Sequence, residues 1–447
     1  MSDSEGFTVA SGLTRGEVLR RGLAAGVAIG ASGVLADKAR GATRGSKVRH
    51  IIDGSGRFRV RVPREQLADL RRRLAGRRLP SMELVDDPTQ GVQLATIQAL
   101  GGYWATGYDW RSFEARLNAL PQFKTEVDGV GIHFIHVRSA HENALPLIIT
   151  HGWPGSIVEM LGVIGPLTDP TAYGGSAEDA FDLVVPSLPG FGFSDAPRSL
   201  GWGPDRVAQA WAELMSGLGY TRYVAQGGDV GAGVTDAMAI QAPNGLAGIH
   251  LNFLRRPPAD LLLALLGLAP VPPLTAEEKV AFEAYAMQLK KGYNAEMSQS
   301  PETIGFSLTD SPIGQAAWML DHDADSYQKI SQAFLGGPPS GGLTPDHILD
   351  NMTLYWLTAT ETSAARMYWE GARETAAALA QPSPVVSLPV GFTVFPDEIF
   401  QAPLSWVQEV YPNLIYFHQA AAGGHFAAWE EPQLFAEELR AAFRPLR

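Results

Sequence analysis

The stretch Tyr223-Val224-Ala225-Gln226-Gly227-Gly228-Asp229-Val230-Gly231 decides the fold. A short apolar strand, Tyr223–Gln226, runs into a glycine-rich turn, and a helix from about Ala232 to Gln241 follows. Gly227 and Gly231 stand two positions either side of Asp229, the small-x-nucleophile-x-small pattern of a strand-to-helix elbow too tight for side chains at the flanks. Its centre is a carboxylate rather than a hydroxyl. A carboxylate attacks saturated carbon or a strained ring and leaves an alkyl ester, and is a poor choice for opening an ordinary ester or amide. The same residues also fit a plain glycine-rich turn with an N-capping Asp, so the rest of the chain must arbitrate.

Outward from the elbow, apolar strands alternate with helices. Strands are predicted at Val130–Arg138, Leu145–Thr150, Leu183–Pro186, Ile249–Asn252, Pro389–Val394 and Leu414–Phe417, with helices at Ser156–Leu167 and Asp205–Leu218. Short apolar strands separated by helices imply a mainly parallel sheet covered on both faces, an α/β architecture. Residues 46–125 read as a helical arm, with helices from Pro63 (Leu67, Leu70 and Leu74 at helical spacing), at Gln90–Trp104 and at Trp110–Leu120. Residues 254–385 are helical in composition and too long for a loop, so they form an insertion. The division is therefore a leader at 1–45, an arm at 46–125, a sheet core at 126–253 and 386–447, and a lid at 254–385.

Two more loops follow predicted strands, where such a sheet presents its chemistry. His151-Gly152-Trp153-Pro154-Gly155-Ser156 offers the Trp153 N–H, which together with the Val230 N–H would make an oxyanion hole; His151 reads as a scaffold residue. Gly423-Gly424-His425-Phe426 places His425 beyond the last strand, where a general base belongs. Between them, Phe395-Pro396-Asp397-Glu398 supplies an orienting acid, either Asp397 or Glu398. The order nucleophile, acid, His is that of α/β hydrolases.

These segments, with Leu120–Thr125, Ile132–Val137, Pro186–Ser194, Asp310-Ser311-Pro312, Leu354-Tyr355-Trp356 and Gly423–Pro432, resemble the microsomal-type epoxide hydrolases, including the juvenile-hormone branch, over about residues 55–445. The resemblance implies the α/β-hydrolase fold, with Asp229 as nucleophile, His425 as base and Glu398 as acid. It implies two lid tyrosines, Tyr293 in Lys291-Gly292-Tyr293 and Tyr368 in Arg366-Met367-Tyr368-Trp369, as donors to the leaving oxygen. It implies no metal and no organic cofactor; the partners are a small epoxide and water. Val230 stands where relatives often carry Trp. The apolar insertion (Leu261–Leu268, Phe282, Met287, Trp318, Met319, Phe334, Trp356) suggests a lipophilic epoxide. The alternatives are a haloalkane dehalogenase with the same Asp nucleophile, and a non-catalytic binding protein of this fold.

The chain's 447 residues contain no cysteine, which excludes disulfides, thiolate metal sites and a Cys nucleophile. The net charge of −12 divides unevenly: residues 1–80 carry +10 and the remainder −22. The acidic remainder argues against nucleic acid as a partner. Thr14-Arg15-Gly16-Glu17-Val18-Leu19-Arg20-Arg21 and the apolar run Leu23–Ala36 read as a twin-arginine-like export signal, the alternative being a leader on a cytoplasmic protein. Arg71, Arg72, Arg73, Arg77 and Arg78 read as a solvated or docking helix face.

Overall fold

The computed structural model describes residues 57–447; the leader at 1–45 lies outside them. One eight-stranded sheet runs in the order β1-β2-β4-β3-β5-β6-β7-β8. Its strands are β1 Gln122–Val127, β2 Val130–Val137, β3 Leu145–Thr150, β4 Phe181–Pro186, β5 Tyr223–Gly227, β6 Leu246–Leu251, β7 Val390–Val394 and β8 Leu414–Gln419. β1, β2 and β4 pair antiparallel, and every other pairing is parallel. The inner strands are buried along nearly their whole length, because helices cover both faces.

β1 was not among the predicted strands. It is an edge strand whose middle carries Lys124 and Glu126, so it lacks an apolar run. The Asp128-Gly129 turn that joins it to β2 has φ of +48° and +80°, the left-handed pair that a two-residue hairpin needs. The strand predicted at Ile249–Asn252 begins at Leu246, and the one at Leu183–Pro186 begins at Phe181. The helix predicted at Gln90–Trp104 begins at Leu94, after a short 3₁₀ turn at Pro88–Gln90.

The helix predicted at Ser156–Leu167 is not continuous. A run of three-residue turns links Glu159 to Ser156, Met160 to Ile157 and Leu161 to Val158, and a true helix begins only at Ile164–Thr168. The Ser156 hydroxyl takes the Val158 N–H at 3.1 Å.

Between β6 and β7 the chain forms eight helices, from Ala259–Leu265 to Glu361–Ala378. The arm helices Arg64–Ala75, Leu94–Thr106 and Trp110–Ala119 clamp this insertion. Tyr108 donates to Asp350 Oδ1 at 2.8 Å, Arg116 pairs with Asp350 Oδ2 at 2.5 Å, and Trp104 Nε1 donates to Thr353 at 2.8 Å. The arginine face divides accordingly. Arg71, Arg72 and Arg78 are exposed, whereas Arg73 reaches the Asp310 carbonyl at 2.6 Å and stacks over Trp356. The insertion's apolar residues mostly pack the insertion and the arm. Met287, one of the apolar insertion residues, is 72% exposed. Among the described residues, no helix is long and apolar enough to cross a membrane.

Candidate active site

Thr150, Gly227 and Leu251 lie on one rung of the sheet, at the carboxyl ends of β3, β5 and β6. The loops that follow therefore emerge side by side. Asp229 is the first residue of the helix Asp229–Gln241 and has φ +47°, a strained conformation for a residue with a Cβ. The flanking glycines are sterically required. A Cβ on Gly231 would lie 2.0 Å from the Thr150 carbonyl, and one on Gly227 2.1 Å from the Gly231 carbonyl. A Cβ on Gly152 would lie 2.2 Å from Asp229 Oδ1, so the His151–Ser156 loop can approach the carboxylate only because this residue is glycine.

The two carboxylate oxygens of Asp229 have different surroundings. Oδ1 accepts the Trp153 N–H at 3.0 Å, and the Val230 N–H also donates to the carboxylate. Oδ2 faces His425 Nε2 at 3.5 Å and His322 Nε2 at 3.9 Å. Burial by itself would raise the Asp229 pKa, but the hydrogen bond and charge of His425, the charge of His322 and the Val230 N–H outweigh it and hold the group at about 2.

His425 is buried, and its Nδ1 meets Glu398 Oε1 at 2.6 Å. Burial opposes its protonation; the Glu398 and Asp229 charges prevail and hold its pKa well above the ordinary histidine value. Of the two acids left open by the sequence, the structure places Glu398 against the imidazole. Asp397 instead takes Lys329 at 3.0 Å and is half exposed. Lys329 also pairs with Glu430, whose carboxylate accepts the Phe426 N–H, so this ion cluster braces the His425 loop from behind. His151 has both ring nitrogens engaged, Nδ1 with the Gly152 carbonyl and Nε2 with the Leu188 N–H, and burial lowers its pKa to about 4. It ties two loops together.

The insertion supplies the opposite wall. Tyr293 lies 5.0 Å from the Trp153 ring, Tyr368 5.9 Å from it, and the two phenol rings are 6.0 Å apart, edge to face. Gln288 donates to the Tyr293 hydroxyl. Burial, then the Asp229 charge, raises both phenols well above their ordinary pKa, with Arg255 just past β6 opposing the rise. Trp153 Nε1 donates at 3.3 Å to Glu361, a buried acid pushed up to about 8.

The sequence reading missed Arg255, Glu361 and His322. All three lie outside the three loop motifs, and only the closure of the insertion over the sheet brings His322 to the nucleophile. The dipeptide His322-Asp323 was the available signal, since an adjacent carboxylate can orient an imidazole.

Comparison with known proteins agrees with this architecture. Residues 55–160 match the family described as epoxide hydrolase N terminus, and residues 146–286 match the α/β hydrolase fold. A Stigmatella aurantiaca (strain DW4/3-1) protein whose name proposes an epoxide hydrolase is 51% identical over 394 residues, covering 87% of this chain and 85% of that protein. Epoxide hydrolase 1 of Sus scrofa is 35% identical over 86% of this chain and 87% of its own. The crystal structure of juvenile hormone epoxide hydrolase from the silkworm Bombyx mori superposes with a TM-score of 0.75 at 29% identity, covering 87% of this chain and 95% of that one.

Proposed function

The chain belongs to the epoxide hydrolase family, and from that premise we propose that it converts an epoxide to a 1,2-diol through an ester on Asp229. The observation that carries this reading is the division of labour at one carboxylate. Asp229 Oδ1 is held by the Trp153 N–H while Oδ2 faces the Glu398-backed His425.

Oδ2 attacks an oxirane carbon. The C–O bond breaks, and Tyr293 and Tyr368 hold the departing oxygen and protonate it. A hydroxyalkyl ester forms, and the Asp229 charge disappears with it. That charge is what raised the phenols after burial, so they become better acids as the alkoxide needs its proton. Loss of the same charge also weakens the grip on the His425 proton, which lets the imidazole act as base in the second step.

His425, oriented by Glu398, then removes a proton from water, and the hydroxide adds to the ester carbonyl. Oδ1, held by the Trp153 N–H, becomes the oxyanion, and the Val230 N–H that donates to the same carboxylate stabilises it too. Preset donors of this kind contribute about 2.7–4 kcal/mol each. Collapse expels the substrate oxygen, which takes the His425 proton and leaves as the diol, and the proton then carried by Asp229 returns to the phenolate formed in the first step, restoring the carboxylate. An ionised nucleophile needs no base in the first step, which leaves His425 free for the second. Paired phenols also distinguish this reading from halide displacement, since a departing halide needs no proton.

The substrate side of the reading is a lipophilic epoxide. The buried rings of Trp153, Tyr293 and Tyr368, packed together over the Asp229 side of the site, support it.

The test is a single turnover in heavy-oxygen water with enzyme in excess over a terminal aryl epoxide. The label is expected in the Asp229 carboxylate and not in the diol. Label appearing directly in the diol would eliminate the ester.

A further inference from the structure

The two-step reaction has no use for His322. It is 1% exposed, and its Nδ1 meets Asp323 Oδ2 at 3.0 Å. Asp323 is itself fixed, because its other oxygen accepts the Ser326 N–H at 2.8 Å and caps the helix Ala324–Phe334. The ring is held between Tyr293 at 5.0 Å and His425 at 4.6 Å. These contacts account for Nδ1 and for the ring faces. They leave Nε2 buried, without a hydrogen-bond partner, and aimed at Asp229 Oδ2.

Beside it, against the same oxygen, His425 is arranged in the same way. Its Nδ1 is held by a carboxylate and its Nε2 is turned toward Asp229. Two neutral-capable imidazoles, each backed through Nδ1 by a carboxylate, together with one carboxylate oxygen, are the donor set and the backing of a tripodal metal site. The three donor atoms lie within 4.8 Å of one another. In a tetrahedral zinc site with bonds of about 2.1 Å, ligand atoms stand about 3.4 Å apart. The two separations to Oδ2, 3.5 and 3.9 Å, are already near that value, and small side-chain rotations close the rest.

We propose that Asp229, His322 and His425 form a binding site for a zinc-like divalent cation, with its fourth position open to the substrate pocket. Nitrogen and oxygen donors in this geometry suit zinc and cobalt(II), whereas magnesium and calcium prefer oxygen cages. The bound cation silences the enzyme. It takes the electron pair of Oδ2 needed to open the oxirane and the Nε2 needed to activate water. The silencing rests on the reading of Asp229 and His425 given above; the binding does not.

The experiment uses the full chain, freed of metal with a chelator. Cobalt(II) chloride is titrated while visible absorption is recorded, and zinc chloride is titrated by calorimetry. One equivalent is expected, with the intense d–d bands of low-coordinate cobalt. Zinc should suppress diol formation in competition with the epoxide, and EDTA should restore it. His322→Ala should lower the affinity for either metal at least about 100-fold, and Asp323→Asn about 10–100-fold. His322→Gln keeps the side-chain bulk, and its melting temperature separates lost binding from lost fold.

A wild-type chain that binds no stoichiometric cobalt overturns the proposal. So does a folded His322→Gln chain that binds cobalt as tightly as wild type. The two readings fail separately. Absent cobalt bands with label still entering Asp229 remove only the metal site. Cobalt bands with label in the diol remove only the ester.

Discussion

The nucleophile sits between two walls built by different physics. The sheet wall consists of the His151–Ser156 loop, the elbow and the Glu398 and His425 loops, all fixed by β3, β5, β7 and β8. Its polar contacts are short and directed: 3.0 Å from Trp153 N to Asp229, 2.6 Å from His425 to Glu398. The insertion wall contributes Tyr293, His322 and Tyr368 from three separate segments, positioned by ring packing against Trp153 and His425. The difference teaches where each half of the reaction is tuned. Groups that must aim at one atom stand on strand ends, whose register allows little freedom. Groups that must follow a substrate oxygen stand on packed helices.

The comparison breaks most simply at the nucleophile. Asp229→Ala should abolish turnover by about 10⁴-fold or more, measured as diol formed, because every later step needs the ester. His425→Gln should separate the walls. Turnover should fall by a similar factor, yet one equivalent of substrate mass should accumulate on the chain, seen by intact mass spectrometry. If no adduct forms, the sheet wall is not divided into an attacking group and a hydrolysing group.

The insertion wall is tested by Tyr293→Phe with Tyr368→Phe. The double variant should slow ester formation by about 10²–10⁴-fold, the range of one positioned proton transfer. Rapid-quench kinetics should find hydrolysis of the preformed ester little changed. A loss confined to hydrolysis would reverse the assignment of the walls.

The pH dependence should divide along the same line. Asp229 is held at about 2, so its ionised form is complete across the working range, and ester formation should be flat from about pH 4 upward. His425 is raised, so its neutral form is lost as pH falls through that raised value. In the ester the Asp229 contribution is gone and the Glu398 contribution remains, so hydrolysis should decline on acidification with its limb at a lower pH than that at which His425 of the free enzyme titrates. Stopped-flow measurement of the two steps at several pH values checks this.

The smallest effect concerns what holds the insertion wall in place. Asp350→Ala removes the acceptor shared by Tyr108 and Arg116 and leaves the buried Tyr108 O–H without that acceptor. Thermal or urea unfolding should show a loss of about 1–3 kcal/mol, with label transfer to Asp229 retained.

Legibility followed the same division. Asp229, Trp153, Val230 and His425 were readable because each sits in a glycine-rich loop after a strand, and the glycines are there to let backbone and carboxylate come within contact distance. Glu398 and Asp397 were not separable from the sequence. Two adjacent carboxylates differ only in which way the chain turns, and the Asp397 pairing with Gly424 and Lys329 turns one of them outward. Tyr293 and Tyr368 came from family resemblance alone, since an aromatic residue on a helix looks the same whether it packs a core or faces a substrate. β1 was missed for want of an apolar run, and the segment predicted as a helix at Ser156–Leu167 starts as successive i,i+3 turns before the helix at Ile164–Thr168.

The sequence by itself determined the α/β class, the chain order of nucleophile, acid and histidine, and the carboxylate character of the chemistry. Those are local properties, written in strand periodicity, in small residues at fixed offsets and in residue type. Tertiary structure alone decided which acid meets His425, that Asp229 presents two unlike oxygens, and that His322 faces the nucleophile from a distant helix end. These depend on distances between segments 27 to 93 residues apart, which are set only when the sheet closes and the insertion packs down onto it.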